Sequence, residues 1–303
     1  MAQDLRVPTE SGARMRLRVD GEGPWTILLD AGWGHWSPSW RAVQDGLAER
    51  YRTVAIDRLG LGGSEDGPRP RTSYQIVDEL QDALRSAELE GPYLYVGHGF
   101  GGVHGRIHAH RDGEVRGLVL VDPIVEVLAR SRAFLQLRDA LDGQLTQRAR
   151  WCQMGLWRAL ALFGRKPIES RRLPPSARRE LRSGYSTTAI DTMRAELGAL
   201  EESLAELATV GAPRVPCRIL SASEPWLGLP DAGATETAVQ AMHRKLAGQS
   251  PDGAHRVVER TSHWVHIDRP DAIIDAVNDL AGRVTLPASP SRVSAPAPTP
   301  PPP

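Results

Sequence analysis

The sequence has few cysteines and no long apolar segment. Cys152 and Cys217 are the only cysteines among 303 residues and lie far apart in sequence, so a reducing compartment without a disulfide framework is indicated. No run of eighteen apolar residues occurs, and residues 1–7 carry no apolar stretch after a basic start. These absences predict a cytoplasmic protein with neither a signal peptide nor a membrane span.

An excess of either charge is also missing. Basic and acidic residues number 37 each, so the overall charge favours neither nucleic acid nor a membrane surface as a partner. Lys166 and Lys245 are the only lysines, and we attach no function to this bias toward arginine. We predict a small-molecule substrate or ligand as the partner, with no cofactor and no metal, and the oligomeric state stays open.

Strand-like and helix-like segments alternate along most of the chain. Short apolar runs separated by segments with a spacing near 3.6 residues predict an α/β fold with a mostly parallel, doubly wound sheet. The predicted strands are 14–19, 25–31, 53–58, 93–98, 117–123, 218–222 and 256–261, and the predicted helices are 40–50, 74–89, 102–110, 235–246 and 270–284. Asp268 is a plausible cap for the last of these helices.

The alternation stops between residues 125 and 210, where the sequence is helix-like. We therefore predict an α/β core over 1–124 and 211–285, interrupted by a helical lid over 125–210. Residues 130–182 hold thirteen basic and four acidic residues, which favours a solvated surface and leaves an anion-attracting lid as the alternative. Residues 286–303 contain eight prolines and are predicted to be a disordered tail.

The most informative residue is Gly99. Residues 93–102 run from an apolar strand into a glycine-rich turn that opens a helix, which is the context of the nucleophile elbow Gly-x-Ser-x-Gly. Gly97 and Gly101 match the outer glycines and His98 precedes the central position. That central position is Gly99, so the atom that would attack a substrate is missing.

The chain resembles the α/β-hydrolase superfamily from about residue 14 to residue 284. Besides the elbow-like turn, four ordered motifs carry this resemblance, at 28–33, 56–64, 118–123 and 262–264. The resemblance implies an α/β-hydrolase fold with a helical lid, related to small-molecule ester and amide hydrolases.

The resemblance also assigns residues to catalytic roles. The acid–base histidine falls on His263, in the loop after the last strand, with His266 as the rival. The carboxylate that would orient its ring falls on Glu224, with Asp231 and Asp122 as alternatives.

The oxyanion hole implied by the resemblance consists of the backbone amides of Trp33 and Phe100. Because backbone groups supply it, this hole does not depend on the side chain at residue 99. The chain departs from the family pattern just before it, where Asp30 and Ala31 replace the usual apolar residue and histidine.

Two weaker signals concern histidine and tryptophan. His104 and His108 have the helical spacing of a metal pair, but without a carboxylate or cysteine in matching register we interpret them as helix packing. A pocket walled by aromatic residues would favour an apolar or aromatic ligand, and the candidates on pocket-side loops and the lid are Trp33, Trp36, Trp40, Trp151, Trp157, Trp226 and Trp264.

Three functions are open at this point. The first is an enzyme in which His263, held by Glu224, acts as a general base on water or on an acidic substrate proton. The second is a pseudoenzyme that binds a ligand without turnover, and the third is a serine hydrolase knocked out by a Ser-to-Gly change. In each of them Gly99 excludes an acyl-enzyme at this position, and we expect neither Ser64 nor Ser262 to substitute.

Overall fold

The computed structural model describes residues 2–154, 172–224 and 232–285, which are organised around an eight-stranded sheet. The strands are β1 (Gln3–Pro8), β2 (Arg14–Asp20), β3 (Thr26–Asp30), β4 (Arg52–Asp57), β5 (Tyr93–His98), β6 (Val115–Val121), β7 (Cys217–Ala222) and β8 (Ala254–Val258). Their order across the sheet is β1-β2-β4-β3-β5-β6-β7-β8. β2 runs antiparallel to β1 and β4, and all other neighbours are parallel, which confirms the predicted mostly parallel sheet.

Ten α-helices lie within the described ranges. They are α1 (Arg41–Leu47), α2 (Ser73–Ser86), α3 (Phe100–Arg111), α4 (Arg132–Gln153), α5 (Pro175–Gly184), α6 (Thr187–Gly198), α7 (Leu200–Val210), α8 (Ala232–Gln249), α9 (Val265–Asp268) and α10 (Pro270–Arg283). Short 3₁₀ helices occupy Ser37–Trp40 and Glu126–Arg130. None of the helices in these ranges is both long and apolar enough to cross a bilayer.

The sheet is covered on both faces by helices. On one face Ile27, Leu29 and Val96 pack in a core that also holds Val43 of α1 and Val277 of α10. The alternate residues of the same strands face a second core, which includes Leu28 and Tyr95 together with Leu80 of α2 and Leu246 of α8. This alternation is the period-two pattern of a doubly wound sheet with both faces buried.

One strand was missed by the sequence analysis. β1 is an edge strand with a single neighbour, and most of its side chains are exposed or half-buried, so it lacks the apolar run of the inner strands. The predicted cap is also wrong, since Arg269 occupies the N-cap of α10 without a side-chain bond. Asp268 instead accepts hydrogen bonds from the backbone N–H and the hydroxyl of Ser262 at 2.9 and 2.7 Å.

The segment between β6 and β7 contains helices and no strand in the residues that the structure describes. It includes α4, α5, α6 and α7, and we call it the helical insertion. The predicted boundaries near 124 and 211 fall in the loops after β6 and before β7. The predicted tail at 286–303 lies outside the described residues.

Candidate active site

The turn between β5 and α3 forces an unusual backbone conformation on Gly99. Its φ is 52° and its ψ is −112°, a region that side-chain-bearing residues rarely adopt. The turn is held on both sides, because the N–H of Gly99 donates to the carbonyl of Val121 at 3.0 Å and its carbonyl accepts from Gly102 and Ile124. Residue 99 is therefore fixed at the carboxyl edge of the sheet.

The flanking glycines allow the close approach of this turn to its neighbours. A Cβ on Gly97 would stand 2.3 Å from the carbonyl oxygen of Gly101, and one on Gly101 would stand 2.3 Å from that of Asp30. Neither contact is possible for a real side chain. The glycine pattern thus follows from packing of α3 against β5 and the end of β3.

His263 and Asp122 form a close pair next to Gly99. His263 Nδ1 lies 2.6 Å from Asp122 Oδ2, and since a carboxylate only accepts, the ring donates through Nδ1–H. The other ring nitrogen, Nε2, lies 3.3 Å from the point where a Cβ on Gly99 would stand. The imidazole and its carboxylate are therefore aligned on residue 99.

Asp122 is held in a strained and fully buried position. It follows β6 with a φ of 43°, and its Oδ1 accepts from the N–H of Ala222 at 3.2 Å. Burial on its own raises the pKa of this carboxyl, but the hydrogen bond and charge of His263 outweigh it, so the pKa lies below its ordinary value. Asp122 is thus a carboxylate at neutral pH.

The structure does not bring Glu224 to His263, so this part of the sequence prediction has to be corrected. The side chain of Glu224 is exposed, and its backbone N–H donates to the carbonyl of Thr261 at 3.0 Å. Asp122, which was an alternative, contacts the histidine because β6 lies beside β5 and ends at the same edge of the sheet. Asp231, the other alternative, lies outside the described residues.

The rival histidine belongs to a buried cluster behind His263. His266 is fully buried, its ring centroid lies 4.2 Å from that of His98, and it packs on Trp40. His98 is also fully buried, and its Nε2–H donates to the carbonyl of His263 at 2.9 Å, which holds the loop of that residue. Burial lowers the pKa of His98 and of His266 well below the ordinary value, so both rings are neutral.

The two segments that carry the predicted oxyanion amides lie next to the same position. Phe100 is the first residue of α3, where backbone N–H groups have no acceptor within the helix. The loop of Trp33 approaches from β3, and the Cα of Gly32 lies 3.6 Å from the point of a Cβ on Gly99. Two backbone segments with amide donors therefore meet His263 around residue 99.

An apolar cavity of about 140 Å³ opens beside these groups. Core residues supply one wall, and α4, α6 and α7 of the helical insertion supply the other. The lining residues are Trp33, Phe100, Ile124, Phe134, Leu137, Arg138, Leu141, Leu197, Leu200, His263 and Trp264. The sequence pointed to the two tryptophans, Phe100 and His263 among these residues, but not to the leucines. Apolar helix residues that face a cavity have the same sequence pattern as those that face the core.

Arg138, the one arginine or lysine among the described residues of this lining, is already paired. It donates to Asp139 at 2.9 Å and to Glu201 at 2.7 Å, so its charge is compensated at the rim. Trp36 and Trp40 are buried in the protein rather than on the cavity, and the side chains of Trp151, Trp157 and Trp226 lie outside the description.

His104 and His108 each contact their own carboxylate. His104 Nδ1 lies 2.7 Å from Asp30 Oδ2, and His108 Nε2 lies 3.2 Å from Asp112 Oδ2. Within the described ranges, no cluster of three or more ligating side chains has the geometry of a metal site. The pair therefore takes part in helix packing and local hydrogen bonding.

Comparison with known proteins gives a family and a fold. A family model described as "Alpha/beta hydrolase family" matches residues 27–276. The uncharacterized protein YqjL of Bacillus subtilis is 33% identical over 99 residues, and Epoxide hydrolase 3 of Xenopus tropicalis is 35% identical over 121 residues. These matches cover 32% and 38% of this chain and 39% and 32% of the two relatives, so less than two fifths of either relative is spanned.

A solved structure extends the likeness to nearly the whole fold. The ligand-free epoxide hydrolase CorEH has a TM-score of 0.72 at 17% identity, over 93% of this chain and 99% of that one. At this identity the likeness establishes the α/β-hydrolase fold and not the reaction.

Proposed function

The chain belongs to the alpha/beta hydrolase family, and from this premise we propose that it acts on a small neutral apolar substrate without a covalent bond to residue 99. His263 is the general base, Asp122 orients it, and the backbone amides of Trp33 and Phe100 donate hydrogen bonds to the developing negative charge. Gly99 stands at a nucleophile elbow that has no nucleophile.

One observation carries this proposal. His263 donates through Nδ1 to Asp122 at 2.6 Å while its Nε2 faces the point of a Cβ on Gly99 at 3.3 Å. This is the arrangement of a base held in the tautomer that accepts a proton at Nε2. A serine here would lose its proton to Nε2, and with glycine the same nitrogen acts on water or on the substrate.

The proposed reaction is attack of water on a carbonyl carbon. Nε2 takes a proton from the water molecule while the water oxygen bonds to that carbon. The former carbonyl oxygen becomes an anion, which accepts hydrogen bonds from the two amides. Collapse of this intermediate expels the leaving group, which takes the proton back from Nε2. Asp122 stays ionised and stabilises the imidazolium, which agrees with its lowered pKa.

The cavity supports a substrate that carries one apolar ring or a short alkyl group. Its volume of about 140 Å³ is close to that of engineered apolar cavities of about 150 Å³ that bind benzene. Arg138 is paired with Asp139 and Glu201, and the other described wall residues are apolar or aromatic, so the described walls offer little to a charged substrate. In this proposal α4 and α6 are the lid that excludes water.

The proposal is tested by screening small neutral aromatic and aliphatic esters and lactones for a thermal shift. We expect the compound with the largest shift to be turned over by the unaltered chain and at least about 100-fold more slowly by His263→Ala. His110→Ala, at an exposed position of α3, is the matched control and should leave turnover unchanged.

Intact-mass measurement during turnover completes the test. We expect no substrate-derived adduct on the unaltered chain. An adduct, equal turnover by His263→Ala, or binding with no turnover of any compound that binds would each contradict the proposed reaction.

A further inference from the structure

Arg58 and Glu196 form a buried ion pair between the core and the helical insertion. Arg58 follows β4 and is 2% exposed, and Glu196 lies on α6 and is 1% exposed. Arg58 Nε and Nη2 donate to the two carboxylate oxygens of Glu196 at 2.9 and 3.1 Å. Two charges are removed from water here, which is costly unless every donor is satisfied.

All five N–H groups of Arg58 have acceptors. Besides the two bonds to Glu196, Nη1 donates to Asp30 Oδ1 at 2.9 Å and to the carbonyl of Ala31 at 2.7 Å, and Nη2 donates to the carbonyl of Gly32 at 3.4 Å. Two of the five acceptors are thus backbone carbonyls of the loop that follows β3. Glu196 accepts the remaining two bonds, so it and the loop together hold the guanidinium.

These carbonyl contacts set the direction of the amides that come next. A trans peptide is planar, so the N–H of a residue points away from the carbonyl of the residue before it. The carbonyl of Gly32 accepts from Arg58 Nη2 at 3.4 Å and from the backbone N–H of His35 at 3.2 Å, and both bonds keep the N–H of Trp33 pointing away from the guanidinium. The Cα of Gly32 borders the position of a side chain at residue 99, 3.6 Å away.

α6 also contacts the loop after β3 through Met193 and the loop after β4 through Thr192. The indole Nε1–H of Trp33 donates to the carbonyl of Met193 at 2.9 Å, and a Cβ on Gly34 would meet Met193 Sδ at 3.1 Å. Thr192 packs so closely on Gly60 that a Cβ there would overlap its hydroxyl. α6 is therefore packed tightly against the loops that border the candidate site.

We propose that Glu196 and Arg58 are a positioning pair, through which the helical insertion holds the Trp33 amide in the orientation that stabilises an oxyanion. Neither residue touches the substrate. The inference rests on the proposed function for the role of that amide, but the restraint on the loop is a property of the chain by itself.

The first test measures hydrogen–deuterium exchange in residues 30–36 of the unaltered chain and of Glu196→Gln. The side-chain NH₂ of the glutamine faces an N–H of Arg58 and cannot accept a hydrogen bond from it. We therefore expect the backbone amides of residues 30–36 to exchange at least tenfold faster. The matched control is Glu180→Gln, because Glu180 also joins the insertion to core arginines, accepting from Arg16 at 2.8 Å and from Arg41 at 3.3 Å. The control should leave exchange in residues 30–36 unchanged.

The second test measures ester hydrolysis in the Gly99→Ser background. We expect Glu196→Gln to lower kcat at least tenfold with KM unchanged, since an oxyanion is held only in the transition state, and Glu180→Gln to leave both constants unchanged. Glu196→Asp, which keeps the charge at a shorter reach, should fall between, and it replaces Glu196→Gln if that variant does not fold.

The outcomes separate the two proposals. Unchanged exchange in residues 30–36 of Glu196→Gln, or an equal rise in both glutamine variants, would overturn the positioning pair. A rise in exchange confined to Glu196→Gln without any esterase activity in Gly99→Ser would support the restraint and contradict the proposed oxyanion site. A fall in kcat of the same size in both glutamine variants would assign the pair a purely structural role.

Discussion

At residue 99 the fold places glycine in a backbone conformation that costs other residues free energy. With a φ of 52°, any side chain there is strained by about 1–3 kcal/mol, and serine hydrolases accept such strain to expose a nucleophile. Glycine adopts the conformation at little cost. In the proposed function, the chain keeps this turn without the nucleophile that the turn would expose.

Adding a side chain at residue 99 should lower stability. We expect both Gly99→Ala and Gly99→Ser to reduce the free energy of unfolding by about 1–3 kcal/mol, from the positive φ and from the 3.3 Å contact of the new Cβ with His263 Nε2. Urea unfolding followed by circular dichroism measures this. A stability equal to or above that of the unaltered chain would mean that the turn is not strained.

The carboxylate that serves His263 can be identified by substitution. Asp122→Asn keeps the shape but presents an amide to Nδ1 and favours the wrong tautomer, so turnover should fall by a factor on the order of 10³–10⁴. Glu224→Gln, at an exposed side chain, should have little effect. Comparing kcat of the two variants decides between them, and a larger loss in Glu224→Gln would reverse the assignment.

Among the elements, the β5–turn–α3 unit depends on close backbone approach. A Cβ on Gly97 would stand 2.3 Å from the carbonyl of Gly101, so Gly97→Ala must displace α3 and should cost about 3 kcal/mol or more. Gly113→Ala is the matched control, because no atom lies within 4 Å of its added Cβ, and its effect should stay within about 1 kcal/mol. Equal unfolding free energies for the two alanine variants would contradict this account of the turn.

Strands, helices and the elbow-like turn were predictable because their signals are local. β3, β5 and α3 each carry a periodicity or a glycine pattern within a dozen residues, and their predicted positions agree with the structure within two residues. His263 could be identified as a candidate from the motif at 262–264, and the structure places its ring beside Gly99.

Pairings across the chain were not predictable in this way. Whether Asp122 or Glu224 reaches His263 depends on which strand lies beside β5 and on how each side chain leaves its strand. Arg58 and Glu196 are 138 residues apart, and each alone has the sequence pattern of an ordinary surface charge. Only the packing of α6 on the loop after β3 shows that both charges are buried together.

For the whole molecule, buried histidines make stability depend on pH. Burial, with the nearby charges of His263 and Arg58, lowers the pKa of His35 to about 3, so this ring stays neutral in the fold. The unfolded chain binds a proton there below about pH 6.5, and the folded chain does not. Stability from this group is therefore present above pH 6.5 and is lost as the pH falls toward 3.

This dependence can be isolated with one substitution. His35 stacks on Trp264 with ring centroids 4.1 Å apart, and His35→Phe keeps an aromatic ring there without a titrating group. Between pH 7 and pH 5 we expect the unaltered chain to lose about 2 kcal/mol more unfolding free energy than His35→Phe. Urea unfolding at both pH values checks this, with the exposed His110→Phe as control, and an identical loss in all three chains would contradict it.

We propose that the pocket keeps a working base and oxyanion site beside a position without a nucleophile. Pre-steady-state hydrolysis of a small p-nitrophenyl ester by Gly99→Ser tests this, with Gly99→Ala as the control of equal backbone strain. We predict a burst of one p-nitrophenol per chain and an acyl adduct in the intact mass of Gly99→Ser, and neither in Gly99→Ala. A folded Gly99→Ser that gives no burst and no adduct would contradict the account.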